Sequence, residues 1–268
     1  MIAPRSQESR RPLRLTFRTV NIHTCRYVDR HGKKRRLGKA REEMTVVKRR
    51  LRDPDRTRER LLQAAFHEVH RSSFQSVGIN RILAATNVTK GALYHHFDSK
   101  EALGYAVVDE IIAKLVRDTW LHPLLGDGHP IDILIGVVQG LPSRPADVRQ
   151  SCPLLNLAQE MSSLDEQFRK RLEKVFLAWQ QGIAALLRKG QSQGTVRRDR
   201  NPDEVASFLV ALIEGHTSLA KNAQDPRIFE VGIRNIVEWL ETLRAPRQSR
   251  KGGRRMSKTR VVRQRQRF

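Results

Sequence analysis

The chain has 268 residues and is poor in the features that mark several protein classes. It has two cysteines, Cys25 and Cys152. Two cannot form a disulfide framework, and such scarcity fits a reducing compartment, so a cytoplasmic location is expected. No apolar stretch approaches the roughly 18 residues of a membrane span. The segment 1–11 lacks the apolar run of a secretory signal. His-Glu-x-x-His, a glycine-rich phosphate loop and a nucleophile elbow are all absent, so neither enzyme chemistry nor a cofactor is expected. Glu160, Asp165 and Glu166 lie close in sequence but bracket a helix junction, which reads as a solvated rim. His95 and His96 are adjacent on a helix, where successive side chains diverge by about 100°, so no metal site is expected there.

Acidic residues are scarce only at the two ends. Residues 1–52 carry seventeen basic and four acidic side chains, and residues 244–268 carry eleven basic and no acidic ones. Between them, 53–243 holds 23 basic and 24 acidic side chains. The formal net charge of +23 therefore belongs to the ends, and basicity alone says nothing about the body. Both ends lack a sustained apolar period and are expected to be disordered. Within the first, Thr16 to Ile22 alternates weakly like a short strand, and His31 to Arg36 is a charge run. Met44, ten residues before Pro54, is an alternative translation start.

From Asp53 the texture changes. Asp53-Pro54 reads as an N-cap followed by proline at the first helical position, and Leu61, Leu62, Ala65, Phe66 and Val69 follow at helical spacing to about residue 71. Further helices are expected over about 78–86, 90–97, 98–121, 130–141, from Pro153, and over 165–192, 202–221 and 226–243. The body shows no strand and no internal repeat, so the fold class is all-α. The expected organisation is a small helical domain over 53–101 and a larger helical domain over 102–243.

Residues 78–97 carry the function. A sharp turn between two helices needs a residue tolerant of left-handed dihedrals, and Asn87 is one. Val88 is expected to be buried under the turn, and Thr89 to cap the next helix. Lys90, Gly91 and Ala92 are basic or slender, which lets backbone approach a groove. Tyr94, His95 and His96 can donate to phosphates or base edges. Leu93 and Phe97, at i and i+4, face inward. This is the layout of a helix-turn-helix whose second helix enters the major groove.

Arg58 to Ala65, followed by NVTKGALYHHFDSKEAL from Asn87 to Leu103, resembles the DNA-binding domain of the tetracycline-repressor (TetR) family. The segment from Cys152 to Phe168 resembles the regulatory domain of one subgroup. The resemblance places Thr89, Lys90, Gly91 and Ala92 at the groove-facing start of the recognition helix. It implies backbone or base contacts for Tyr94 and His96, and a phosphate contact for Lys100. Asn80 stands where the family often has an arginine or another DNA-contacting residue. The resemblance further implies a homodimer formed through the last two helices, a palindromic double-stranded operator, and an inducer pocket in the helical body. Cys152, Phe176 and Trp179 are candidate ligand-binding residues. Cys152 stands at a helix N-cap, where free N–H groups and the helix dipole favour a thiolate. The competing reading is a non-specific nucleic-acid binder driven by the basic ends.

Overall fold

The structure is a computed structural model, and it describes residues 26–28, 34–36, 54–141 and 145–246. The chain divides into two units, Met1–Thr57 and Arg58–Phe268. In the first, β1 (Arg26–Val28) pairs antiparallel with β2 (Lys34–Arg36), Tyr27 opposite Arg35. These six residues lie within 1–52, where the sequence leads to an expectation of disorder. Three-residue strands are too short to show a period of two in the sequence. Thr16 to Ile22, Cys25, Met44 and Asp53 lie outside the described residues.

The described part of the second unit is helical. It comprises α1 (Pro54–Ser72, whose first residues belong to the preceding unit), α2 (Ile79–Ala84), α3 (Lys90–His96), α4 (100–121), α5 (Pro130–Gln139), α6 (Pro145–Gln150), α7 (Pro153–Met161), α8 (Glu166–Ser192), α9 (Pro202–Ala223) and α10 (Pro226–Glu241). The expected helices are present with ends shifted by a few residues, whereas α6 had no counterpart in the sequence reading. At six residues it is under two turns and offers no repeat to detect. In α4, α-helical Lys100–Ala106 and Ala113–Val116 alternate with π-helical Val107–Ile112 and Arg117–Leu121. Ser99, not Asp98, caps α4, accepting from Ala102 N at 3.0 Å.

One core runs from Leu61 in α1 to Leu240 in α10. Phe168 is fully buried near its centre, edge-on to Phe74 at 4.7 Å and to Tyr105 at 4.8 Å between ring centroids. Helices come close where glycine permits it. A Cβ on Gly104 would stand 2.5 Å from Phe74 Cε2 and 2.6 Å from Phe168 Cζ, and one on Gly232 would stand 2.3 Å from His216 Cγ.

Asp165 caps α8, accepting from Gln167 N at 2.7 Å and Phe168 N at 3.0 Å, and also accepts from the Tyr105 hydroxyl at 2.7 Å. These donors hold the Asp165 carboxyl below the usual range, the tyrosine bond foremost, and the same bond pushes Tyr105 up to about 12. Asp165 is thus a structural cap and not a solvated rim. The basic C-terminal segment also begins as structure. Arg197 N donates to Leu243 O at 3.0 Å and Ala245 N to Thr195 O at 2.9 Å, closing a bridge between Val196 and Arg244. The Arg244 guanidinium pairs with Asp132 and Glu241. The expectation of disorder from 244 is corrected at Arg244 and Ala245, and residues 247–268 lie outside the described residues. A lone arginine with two carboxylates folded near it leaves no periodic signal.

Candidate nucleic-acid interface and regulatory pocket

Two short helices and a turn build the reading head. Asn87 takes φ +55°, the left-handed conformation that the turn requires. An alanine there would keep the strain and lose the side chain that tolerates it. Asn87→Ala should therefore cost about 1 kcal/mol, and Asn87→Gly less, read as the denaturation midpoint at unchanged slope. The Thr89 hydroxyl caps α3, accepting from Ala92 N at 3.2 Å. Leu93 and Phe97 are buried beneath α3, alongside Ile82 of α2 and Leu61 and Leu62 of α1. Val88 is only half-buried, because the turn is too short to cover it.

The outward face carries the expected residues. Asn80 is exposed on α2, and Thr89, Lys90 and Gly91 are exposed at the start of α3, with Ala92 half-buried. Nothing lies within 4 Å of the position a Cβ would take on Gly91, so internal packing does not demand glycine there. Tyr94 is 43% exposed, with Lys90 Nζ 6.0 Å from its ring centroid. His95 is exposed and His96 half-buried, their rings 5.3 Å apart. Thr89 to His96 thus form one surface. Lys100 lies apart from it, its Nζ donating to Gln75 O at 3.3 Å and standing 4.6 Å from the Phe74 ring centroid.

Three further contacts fasten the head to the helical body. Glu160 of α7 accepts from Phe74 N at 2.9 Å and Gln75 N at 2.7 Å, in the turn after α1. The Arg58 guanidinium of α1 donates to Glu110 of α4 at 2.6 Å, which holds the Glu110 carboxyl below its ordinary range. His70 Nε2 of α1 lies 2.9 Å from Ser151 O, and since a carbonyl only accepts, the imidazole donates. Burial lowers the His70 pKa against the pull of the Ser151 bond, which favours the neutral ring. Ser151 has φ +63°, so its carbonyl is aimed by a strained backbone.

Ser151 also borders a half-open cavity of about 180 Å³ lined by residues of α4, α7, α8, α9 and α10. Its walls include Leu115, Trp120, Trp179, Ile213 and Phe229. Of the candidate ligand-binding residues, Cys152 and Trp179 line it and Phe176 does not, being half-buried against the core. The stabilised thiolate expected for Cys152 is corrected. Burial pushes this thiol well above its ordinary pKa, and the Glu214 carboxylate adds to the shift. The amides of Leu154 and Leu155 pull the other way and lose. Burial in turn raises Glu214 to about 7.

Sequence reasoning passed over His70 and Glu214 and read Glu160 as a solvated acid. Glu214 carried a signal, a lone carboxylate directly after the apolar run Val210-Ala211-Leu212-Ile213 of α9. The other two become visible only when distant segments meet. Among the described residues no cluster could hold a metal ion, and no helix is long and apolar enough to cross a membrane.

Comparison with known proteins agrees with this architecture. Residues 61–107 match the family described as "Bacterial regulatory proteins, tetR family", and residues 134–236 match "Tetracyclin repressor-like, C-terminal domain". The transcriptional regulator AcuR of Cereibacter sphaeroides is 30% identical over 164 residues, covering 60% of this chain and 74% of that protein. The chain belongs to the TetR family of transcriptional regulators. The transcriptional repressor DhaR of a Mycobacterium species is likewise 30% identical, over 149 residues, with 53% of this chain and 71% of that protein covered. A TetR regulator from Chloroflexus aurantiacus superposes with a TM-score of 0.65 at 27% identity, covering 73% of this chain and all of that one. TetR proteins are DNA-binding transcriptional regulators and are generally not enzymes.

Proposed function

We propose that this chain is a cytoplasmic homodimeric repressor of a palindromic operator, released when a small molecule occupies the cavity beside Ser151 and Cys152. The observation that carries this reading is the hydrogen bond from His70 to Ser151 O. One partner lies on the first helix of the reading head and the other on the cavity wall, so a ligand that displaces Ser151 acts directly on α1. A coupling of about 1–3 kcal/mol suffices for regulation. The dimer reading is supported by uncovered apolar side chains on the last two long helices, Phe208 at 50%, Leu219 at 58% and Val231 at 43% exposed. Two heads in one dimer reach successive major grooves about 34–36 Å apart.

Binding to duplexes selected by this chain from a random pool tests the reading. The selected sites should be palindromic. Lys90→Ala and Tyr94→Ala should each weaken them by about 1–2 kcal/mol, measured by fluorescence anisotropy. Removing residues 247–268 should flatten the salt dependence and leave the preferred sequence unchanged. A chain that selects no sequence, and loses all affinity with that truncation, is a tail-driven non-specific binder.

A further inference from the structure

The cavity beside Cys152 is polarised in one sense. Glu214 is 6% exposed and lines it, and its carboxylate oxygens have no hydrogen-bond partner beyond the weak donor of the Cys152 thiol. Among the described lining residues there is no lysine, arginine or histidine. The Glu214 carboxylate is therefore a buried acceptor with no cation to answer it, and leaving such a group unmatched is costly. Ser151 Oγ, also on the wall, is buried without a partner and can accept.

The apolar walls add a second, independent preference. Trp120, Trp179 and Phe229 all line the cavity, and the two indoles stand 4.7 Å apart between centroids. Aromatic faces attract ammonium groups, tryptophan most strongly. An anionic ligand would meet the opposite conditions, a carboxylate and π-faces with no positive partner. The Trp179 Nε1–H, buried and unpaired, can donate to an acceptor atom elsewhere on the same ligand.

From this arrangement we infer that the cavity takes a small organic ammonium compound, its charged nitrogen against Glu214 and its apolar part between Trp120, Trp179 and Phe229. The inference rests on the regulator reading above for its consequence, release of DNA, but not for the ligand chemistry. Burial, opposed by the bond from the Cys152 thiol, raises Glu214 to about 7, and a cation beside it favours the ionised form.

The test uses the full chain and matched sets of amine, alcohol and carboxylate on the same apolar group: benzyl, phenethyl, cyclohexylmethyl and butyl. Binding is read from tryptophan fluorescence, since two of the three tryptophans line the cavity, and release from anisotropy of a labelled DNA site. In at least one set the amine should bind tenfold or more tighter than its alcohol, with the carboxylate weakest. Glu214→Gln should abolish that amine preference, while Glu214→Asp keeps it. Alcohols or carboxylates equal to the amine in every set would overturn the inference, and so would an amine preference that survives Glu214→Gln. Saturable amine-selective fluorescence without release of DNA upholds the ligand class and overturns the inducer reading instead.

Discussion

Glu160→Ala should lower the stability of the protein by about 2–3 kcal/mol, the largest loss expected from any single exposed-edge substitution described above. The carboxylate accepts from two successive amides, Phe74 N and Gln75 N. Bonds to a charged acceptor are worth roughly 1.5–3 kcal/mol each, and water reaching the exposed Gln75 recovers part of the loss. Glu160→Gln keeps an acceptor oxygen without the charge and should lose about half as much. The two midpoints in thermal unfolding should fall in that order, the alanine variant by roughly 5–10 °C. Because the bonds join α7 to the turn behind α1, the alanine variant should also respond less to any ligand that releases DNA. Unchanged stability in both variants would show that this contact does not hold the head.

Gly104→Ala should destabilise by about 1–3 kcal/mol, although alanine is the better helix former by about 1 kcal/mol. The added methyl would fall 2.5 Å from Phe74 Cε2 and 2.6 Å from Phe168 Cζ, and both rings are buried with nowhere to turn. Gly136→Ala is the control. It is also helical, exposed, and has nothing within 4 Å of the added atom, so it should gain about 0.5–1 kcal/mol. The pair predicts opposite signs for one chemical change, checked by urea denaturation. Equal effects would mean that the rings yield and packing at the α4–α8 crossing is loose.

What the sequence revealed is what depends on near neighbours. Asn87, Thr89, Leu93 and Phe97 sit within eleven residues, and turn, cap and buried face all follow from their spacing. The long helices announce themselves by period and by proline at their starts, as at Pro202 and Pro226. What stayed hidden depends on meetings across the chain. Cys152 shows why: the helix dipole that favours a thiolate is local and visible, but Glu214, which opposes it, lies sixty-two residues on. Glu160 and Asp165 looked like solvated acids because the amides and hydroxyl they accept from could not be seen beside them. The bond from Lys100 to Gln75 O likewise reaches back twenty-five residues.

The bridge between Val196 and Arg244 has a consequence for how the last helices come apart. A helix end in solvent unravels one residue at a time, each step costing little. Here the strand-like contacts before α9 and after α10 sew the two ends together, so the helices form a closed loop instead of two loose arms. Neither can peel from its outer end until the seam at Arg197 N, Leu243 O, Ala245 N and Thr195 O has opened. Opening is thereby concentrated into one larger event, and the surface bearing Phe208, Leu219 and Val231 keeps its shape until that event occurs.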